Sequence, residues 1–163
     1  MLVNCVAYQD GKKLADISKQ DISEYVVRPE CFVLVALKDP DAAELEEMQA
    51  EFGLHELAVE DARHGHQRPK IEEFGNSPFV VLHNPELADD ALHVGEVDIF
   101  VGPNYILSVR NSVEQGFVAV RERCELEPEL LKHGSGFVLY ALIDAVVDRY
   151  FPILDALDVQ LED

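Results

Sequence analysis

The run Cys31–Leu37, CFVLVAL, is apolar at every position and is bounded by Pro29-Glu30 on one side and Lys38-Asp39-Pro40 on the other. A strand with one wet face alternates apolar and polar residues, so a short unbroken run of this kind reads as a strand buried on both faces. Such a strand needs neighbours in a sheet and helices over that sheet. The rest of the chain supplies both. Leu2–Tyr8 reads as a strand, Asp10-Gly11 as a tight hairpin turn, and Lys13–Ile17 as the returning strand. Ser18 or Asp21 is placed to cap a short helix through Val27, which must stop before Pro29. Asp39-Pro40-Asp41 opens a helix through Phe52, with Gly53 suited to its C-terminal cap.

A second helix is expected from His55 to His64, carrying Leu57, Ala58 and Ala62 on one side and ended by Gly65. Arg68-Pro69 forces extended backbone, which makes Lys70–Phe74 the start of a strand. Phe79–His83 and Val94–Val101 read as further strands, and Gly102-Pro103-Asn104 as the turn into Tyr105–Arg110. Val113–Glu127 is expected to be helical, with another helical turn opened by Pro128 and a break at Gly134-Ser135-Gly136. The order predicts an α/β domain with a mixed sheet and helices on both faces.

At 163 residues the chain suits one domain that buries roughly 70% of its unfolded surface. With 48% hydrophobic and 28% charged residues it has a globular rather than a disordered composition. Thirteen Lys+Arg against 32 Asp+Glu give a net charge of −19, a field that repels nucleic acid and anionic lipid and concentrates cations. Solubility alone also accounts for such acidity. Cys5, Cys31 and Cys124 show no metal-binding spacing, and a reducing compartment is expected. The opening MLVNCVAYQD turns polar too early for a signal peptide, and the most apolar long stretch, Phe137–Leu154, is broken by Asp144, Asp148 and Arg149. A soluble chain is expected on these grounds.

From Phe137 to Asp163 the sequence reads as one long helix in which Asp144, Asp148, Asp155, Asp158 and Glu162 share an arc of about 80°. Pro152 removes the hydrogen bond to the carbonyl of Asp148, so a kink is expected there. The last acids suit a solvated face. Asp144 interrupts LYALIDAVV and calls for a partner. No stop signal closes this helix, and acidic Glu162-Asp163 opposes its macrodipole, so it is expected to continue past Asp163.

Chemistry concentrates between Leu54 and Phe74. His55-Glu56 begins like a zincin motif, but Val59 stands where the second histidine is required. His64 and His66, with Glu60 one turn earlier, could ligate zinc, although close histidines are more often surface residues. No nucleophile elbow, Walker-type loop or dinucleotide fingerprint is present. The carboxylate pair Glu60-Asp61 remains. Its hard oxygens suit Mg²⁺, which keeps several waters and needs one or two carboxylates. By spacing alone, ion pairing with Arg63, Arg68 or Lys70 is the favoured account of the pair.

Four blocks then carry a resemblance. HELAVEDARHGHQRPKIEEF (His55–Phe74), GEVDIFVGPNYILSVR (Gly95–Arg110), VRERCE (Val120–Glu125) and FVLYALIDAVVDRYF (Phe137–Phe151) resemble, in this order, the CorA family of magnesium and cobalt channels. The resemblance covers about two-thirds of the chain, from Leu54 on. It implies an α/β/α layered cytoplasmic domain over residues 1–134, and over 135–163 the start of the family's acidic helices. The stalk, the two membrane spans and the Gly-Met-Asn pore motif are not in this sequence.

The resemblance also implies a homopentamer on the cytoplasmic side of the inner membrane, with Mg²⁺ or Co²⁺ bound between neighbouring domains and holding the channel closed. The acidic pair of the family's His-Pro-Leu-x-x-Glu-Asp motif falls on Glu60-Asp61, with Glu56 here where Pro is usual. The acid of its Leu-Ile-Asp-Ala motif falls on Asp144. Asp148 and His66 are possible additional ligands. Without the stalk this chain is expected to be a monomer or weak dimer. The rivals are the zinc-transporting branch of the same fold, a metal-dependent hydrolase built on Glu60, Asp61 and His66, and an adaptor whose acidic helix docks a basic partner.

Overall fold

The structure is a computed structural model that describes residues 1–162. Its centre is one seven-stranded sheet built from β1 (Leu2–Gln9), β2 (Lys12–Asp16), β3 (Cys31–Lys38), β4 (Lys70–Phe74), β5 (Ser77–Ala88), β6 (Ala91–Gly102) and β7 (Tyr105–Asn111). The spatial order is β2-β1-β3-β7-β6-β5-β4. Only the central pair β3 and β7 runs parallel; every other pair is antiparallel. The apolar run of β3 occupies the middle of this mixed sheet, as its lack of alternation predicts.

Helices cover both faces. On one side α1 (Ile22–Val26), α2 (Ala42–Phe52) and α3 (Glu56–His64) pack Ile22, Leu45, Met48, Ala58, Val59 and Ala62 onto Val33, Val35, Phe79, Val81, Phe100 and Leu107. On the other, α4 (Val118–Glu125), α5 (Pro128–Leu131) and α6 (Ser135–Asp148) place Val120, Cys124, Leu131, Val138, Ala141 and Leu142 over Val6, Tyr8, Val80, Val97, Ile99 and Ile106. This is an α/β/α sandwich. A last helix, α7 (Tyr150–Glu162), follows α6; Asp163, to which the expected helix extends, lies outside the described residues.

Local signals act as expected at both ends of α2, whereas Ser18 and Asp21 make no capping bond with their side chains. Asp41 and Glu44 form a reciprocal capping box at the start of α2, and Gly53 ends it in the left-handed conformation. The β1–β2 hairpin turns through Asp10 and Gly11, both at positive φ.

Three expectations needed correction. The strands of the β5–β6 hairpin are longer than Phe79–His83 and Val94–Val101, meeting at Asp89-Asp90, and β5 runs on through Pro85, which looks like a breaker in sequence. Past Val81, β5 has no partner on its β4 side, and a proline is tolerated on such an edge. The helix expected from Val113 begins only at Val118. Side chains hold the intervening loop instead: Glu86 accepts from the N–H groups of Glu114 and Gln115 at 3.0 and 2.9 Å. Arg110 donates to the carbonyl of Glu114, and Arg149 to those of Gln115 and Gly116.

The third correction concerns the long final helix. It is two helices separated at Arg149, and the first packs on the sheet instead of projecting from it. The break falls beside the hydrogen bond that Pro152 removes. Among the described residues no helix is long and apolar enough to cross a membrane.

Candidate metal centre

Helix α3 is positioned by its own first residues. His55 is its N-cap: Nδ1 accepts from the N–H of Leu57 at 3.1 Å, and the ring stacks on Phe74 of β4 with centroids 4.3 Å apart. Ala58, Val59 and Ala62 face the sheet, which turns Glu60 outward and leaves Asp61 at the rim.

Asp61 Oδ2 accepts from Lys70 Nζ at 2.9 Å, and Lys70 also pairs with Glu72. The hydrogen bonds it donates to Glu72 and then to Asp61 raise the pKa of the ammonium, against an opposing effect of burial. Glu60 lies 3.7 Å from His64. Thus the ion pairing read from spacing is present at Asp61, with Lys70 as the base.

Asp144 is on α6. It accepts from Nη1 of Arg123 on α4 at 2.9 Å, so its partner in this chain is a guanidinium. Both side chains are partly exposed, and a pair of this kind contributes about 0–1 kcal/mol. Asp148 ends α6 exposed, and His66 is exposed at positive φ in the α3–β4 connection.

The central geometric fact is a separation. Glu60 and Asp61 ride on the helix layer of one sheet face, whereas Asp144 and Asp148 ride on the layer of the other. A single copy brings Glu60 beside Asp61 but does not bring either to Asp144. Among the described residues no three His, Cys, Asp or Glu side chains gather in a metal-holding arrangement. The donors at Glu60 and Asp61 are the hard oxygens Mg²⁺ takes, and two carboxylates leave most of a six-oxygen shell to water or to other groups.

Two groups escaped the sequence reading. Arg149, at the α6–α7 junction, donates to Asn84 Oδ1 at 2.8 Å and to two backbone carbonyls, and lies over the ring of Phe117 at 4.2 Å. Glu96 and Asp98 of β6 are buried carboxyls beneath the α3 layer. Their shared spacing with Phe100 put all three on one face, and that alternation was available in GEVDIF.

A family model for the CorA-like Mg2+ transporter protein matches residues 30–163. The chain belongs to the CorA-like Mg²⁺ transporter family, which is a family of transporters. It is 36% identical over 115 residues to the cobalt/magnesium transport protein CorA of Thermotoga maritima, covering 68% of this chain and 32% of that protein. It is 33% identical over 124 residues to YfjQ of Bacillus subtilis, covering 76% of this chain and 38% of that protein. The chain thus spans about a third of the length of these relatives.

The fold is similar to that of the full-length CmaX protein (TM-score 0.79, 18% identity, 99% of this chain and 50% of that one). It is also similar to the ZntB cytoplasmic domain from Vibrio parahaemolyticus (TM-score 0.73, 9% identity, 99% of this chain and 64% of that one).

Proposed function

We propose that this chain is the cytoplasmic, divalent-cation-sensing domain of a CorA-like magnesium or cobalt channel, with no catalytic role. In this reading Mg²⁺ or Co²⁺ is bound between neighbouring copies of a homopentamer and gates transport. The observation that carries it is the placement of Glu60-Asp61 and Asp144 on opposite faces of one sheet. One copy cannot close a shell with both; two copies packed face to face can. For occupancy to gate a channel, the cation must bind the closed packing better than the open one. Lys70 and Arg123 hold the two aspartates meanwhile, and a divalent ion must displace them.

The family match and the similarity to the Thermotoga maritima protein support the same reading. So does the row of exposed apolar residues on α7, Phe151, Leu154, Leu157 and Leu161, which suits contact with further helices of the assembly. The helical extension begins at Ser135 in this reading, and its first helix completes the core. The second reading is zinc, and the observation behind it is His64 close to Glu60.

By itself the chain is expected to scatter light as a monomer or weak dimer at micromolar concentration, because the stalk contacts are absent. A tight pentamer would contradict this. Mg²⁺ affinity should be weak, on the order of millimolar, and ten times that concentration should stabilise by about 1.4 kcal/mol. The melting temperature should then rise by roughly 3–5 °C beyond the rise in ionic-strength-matched NaCl, which separates binding from screening of the −19 charge. Asp61→Asn and Asp144→Asn should each lose most of that increment and Asp158→Asn none. Equal losses in all three would mean diffuse binding. A larger increment with Zn²⁺ than with Mg²⁺, removed by His64→Ala, would select the zinc reading.

A further inference from the structure

Asp98 is fully buried and Glu96 is 6% exposed. None of the described residues offers an N–H or O–H donor to either oxygen of Asp98 or to Glu96 Oε2. Glu96 and Asp98 stand two residues apart on one face of β6, so their unpaired oxygens belong to the same buried side of the sheet. Two buried carboxylates can only accept and cannot satisfy each other, whereas a proton on one of them turns it into a donor for its neighbour. A metal ion does not substitute for the proton. Mg²⁺ needs about six oxygens, and around Asp98 the sheet supplies Val81, Val109 and Phe100.

Glu96 has a second task. Its Oε1 accepts from the N–H of Gln67 at 2.8 Å, while His83, its cross-strand partner, meets the carbonyl of Gln67 at 2.7 Å. A carbonyl only accepts, so His83 carries a proton on Nε2. Both backbone polar groups of Gln67 are thereby held by one pair of facing strand residues. Gln67 is in the connection 65–69 that leads from α3 to β4.

We propose that Glu96 and Asp98 share one proton at neutral pH and form a proton-dependent latch that fastens the α3–β4 connection to the sheet. The latch stands whether or not α3 carries a cation site. The charges facing it are mixed, which leaves burial as the effect that decides. Asp61 looks in from α3, opposed by Lys70 of β4, and β7 brings Val109 and Asn111 opposite the pair. Arg63, His64, His66, His83 and Asp39 line the cleft that Glu96 floors. Burial is the main cause that pushes the Asp98 carboxyl up, to about 9, followed by the neighbouring carboxyl of Glu96.

The sign of the pH effect follows. Native protein keeps a proton that the unfolded chain sheds in the usual carboxylate range, so this pair's contribution to stability falls as pH rises from there towards about 9. Above that value the core must hold two charges or open.

The test is a melting curve series between pH 6 and pH 9 on wild type, Asp98→Asn and Glu96→Gln. Each substitution supplies an N–H in place of the shared proton, and Glu96→Gln keeps an acceptor for Gln67. Both variants are expected to show a shallower fall in melting temperature with pH than wild type, and a higher melting temperature at pH 8. Amide exchange at Gln67 should accelerate with pH, beyond the intrinsic rate, in wild type only. Parallel pH curves in all three proteins, or variants less stable than wild type at pH 8, would overturn the proposal. In wild type alone, the Asp98 carboxyl ¹³C resonance should titrate above neutral pH, and a midpoint in the usual carboxylate range would also overturn it. So would a Mg²⁺-dependent stabilisation that Asp98→Asn abolishes, since a metal ion would then hold the pair.

Discussion

Arg149→Ala should lower stability by about 3 kcal/mol and the melting temperature by roughly 6–12 °C. Three acceptors depend on this guanidinium: Asn84 Oδ1 at 2.8 Å, the Gln115 carbonyl at 3.2 Å and the Gly116 carbonyl at 2.5 Å. Asn84 is fully buried and its Nδ2 already lacks a partner, so removing the arginine strands the whole amide. Hydrogen bonds to a charged donor are worth about 1.5–3 kcal/mol each, and losing several is only partly offset by no longer desolvating the cation. Burial is the main cause that lowers the Arg149 pKa, which is the sign of that desolvation.

The substitution also frees the 114–117 loop, which Arg149 and Glu86 hold from its two polar sides. Asp148→Ala, one residue away and exposed, should change stability by less than about 0.5 kcal/mol. If the two substitutions cost the same in thermal or urea melts, the α6–α7 junction is not held by Arg149.

Gly11→Ala should cost about 2–4 kcal/mol, from two separable sources. Gly11 has φ +79, and an alanine Cβ there would sit 2.2 Å from the backbone oxygen of Pro128. The hairpin tip of β1–β2 therefore docks against α5 through a position with no room for a side chain. Gly75, at φ +64 in the β4–β5 turn, has open space around it. Gly75→Ala should cost only the left-handed strain, about 1–2 kcal/mol. The difference between the two, read from urea midpoints, measures the docking contact. Equal costs would show that the tip of the hairpin yields without loss and that α5 is not packed on it.

The hairpin at Asp10-Gly11, the caps at Asp41 and Gly53, the end of α3 at Gly65 and the position, though not the completeness, of the interruption ahead of Pro152 were legible in the sequence, because each depends on backbone preferences within a few residues. The central position of β3 was legible for a related reason: an unbroken apolar run has no face that tolerates water. Glu60-Asp61 stood out as adjacent carboxylates, and Lys70 lay within the spacing that made it a candidate partner. These are local or nearly local facts.

Long-range packing decided the rest. Residues 113–117 have no strong breaker before Gly116, yet they form a loop, because Glu86, Arg110 and Arg149 take over polar groups that a helix would have satisfied internally. Alternation put Glu96 and Asp98 on one face of β6, but both faces of this sheet are buried, so no pattern revealed that the pair lies in the core. Asp144 called for a partner, and only the docking of α6 beside α4 made that partner Arg123. The same docking put Asp144 across the sheet from Glu60 and Asp61. A sequence determines which side of its own helix each carboxylate occupies. Which face of the sheet that helix covers follows from the packing of residues far apart in the chain, and only the folded structure decides it.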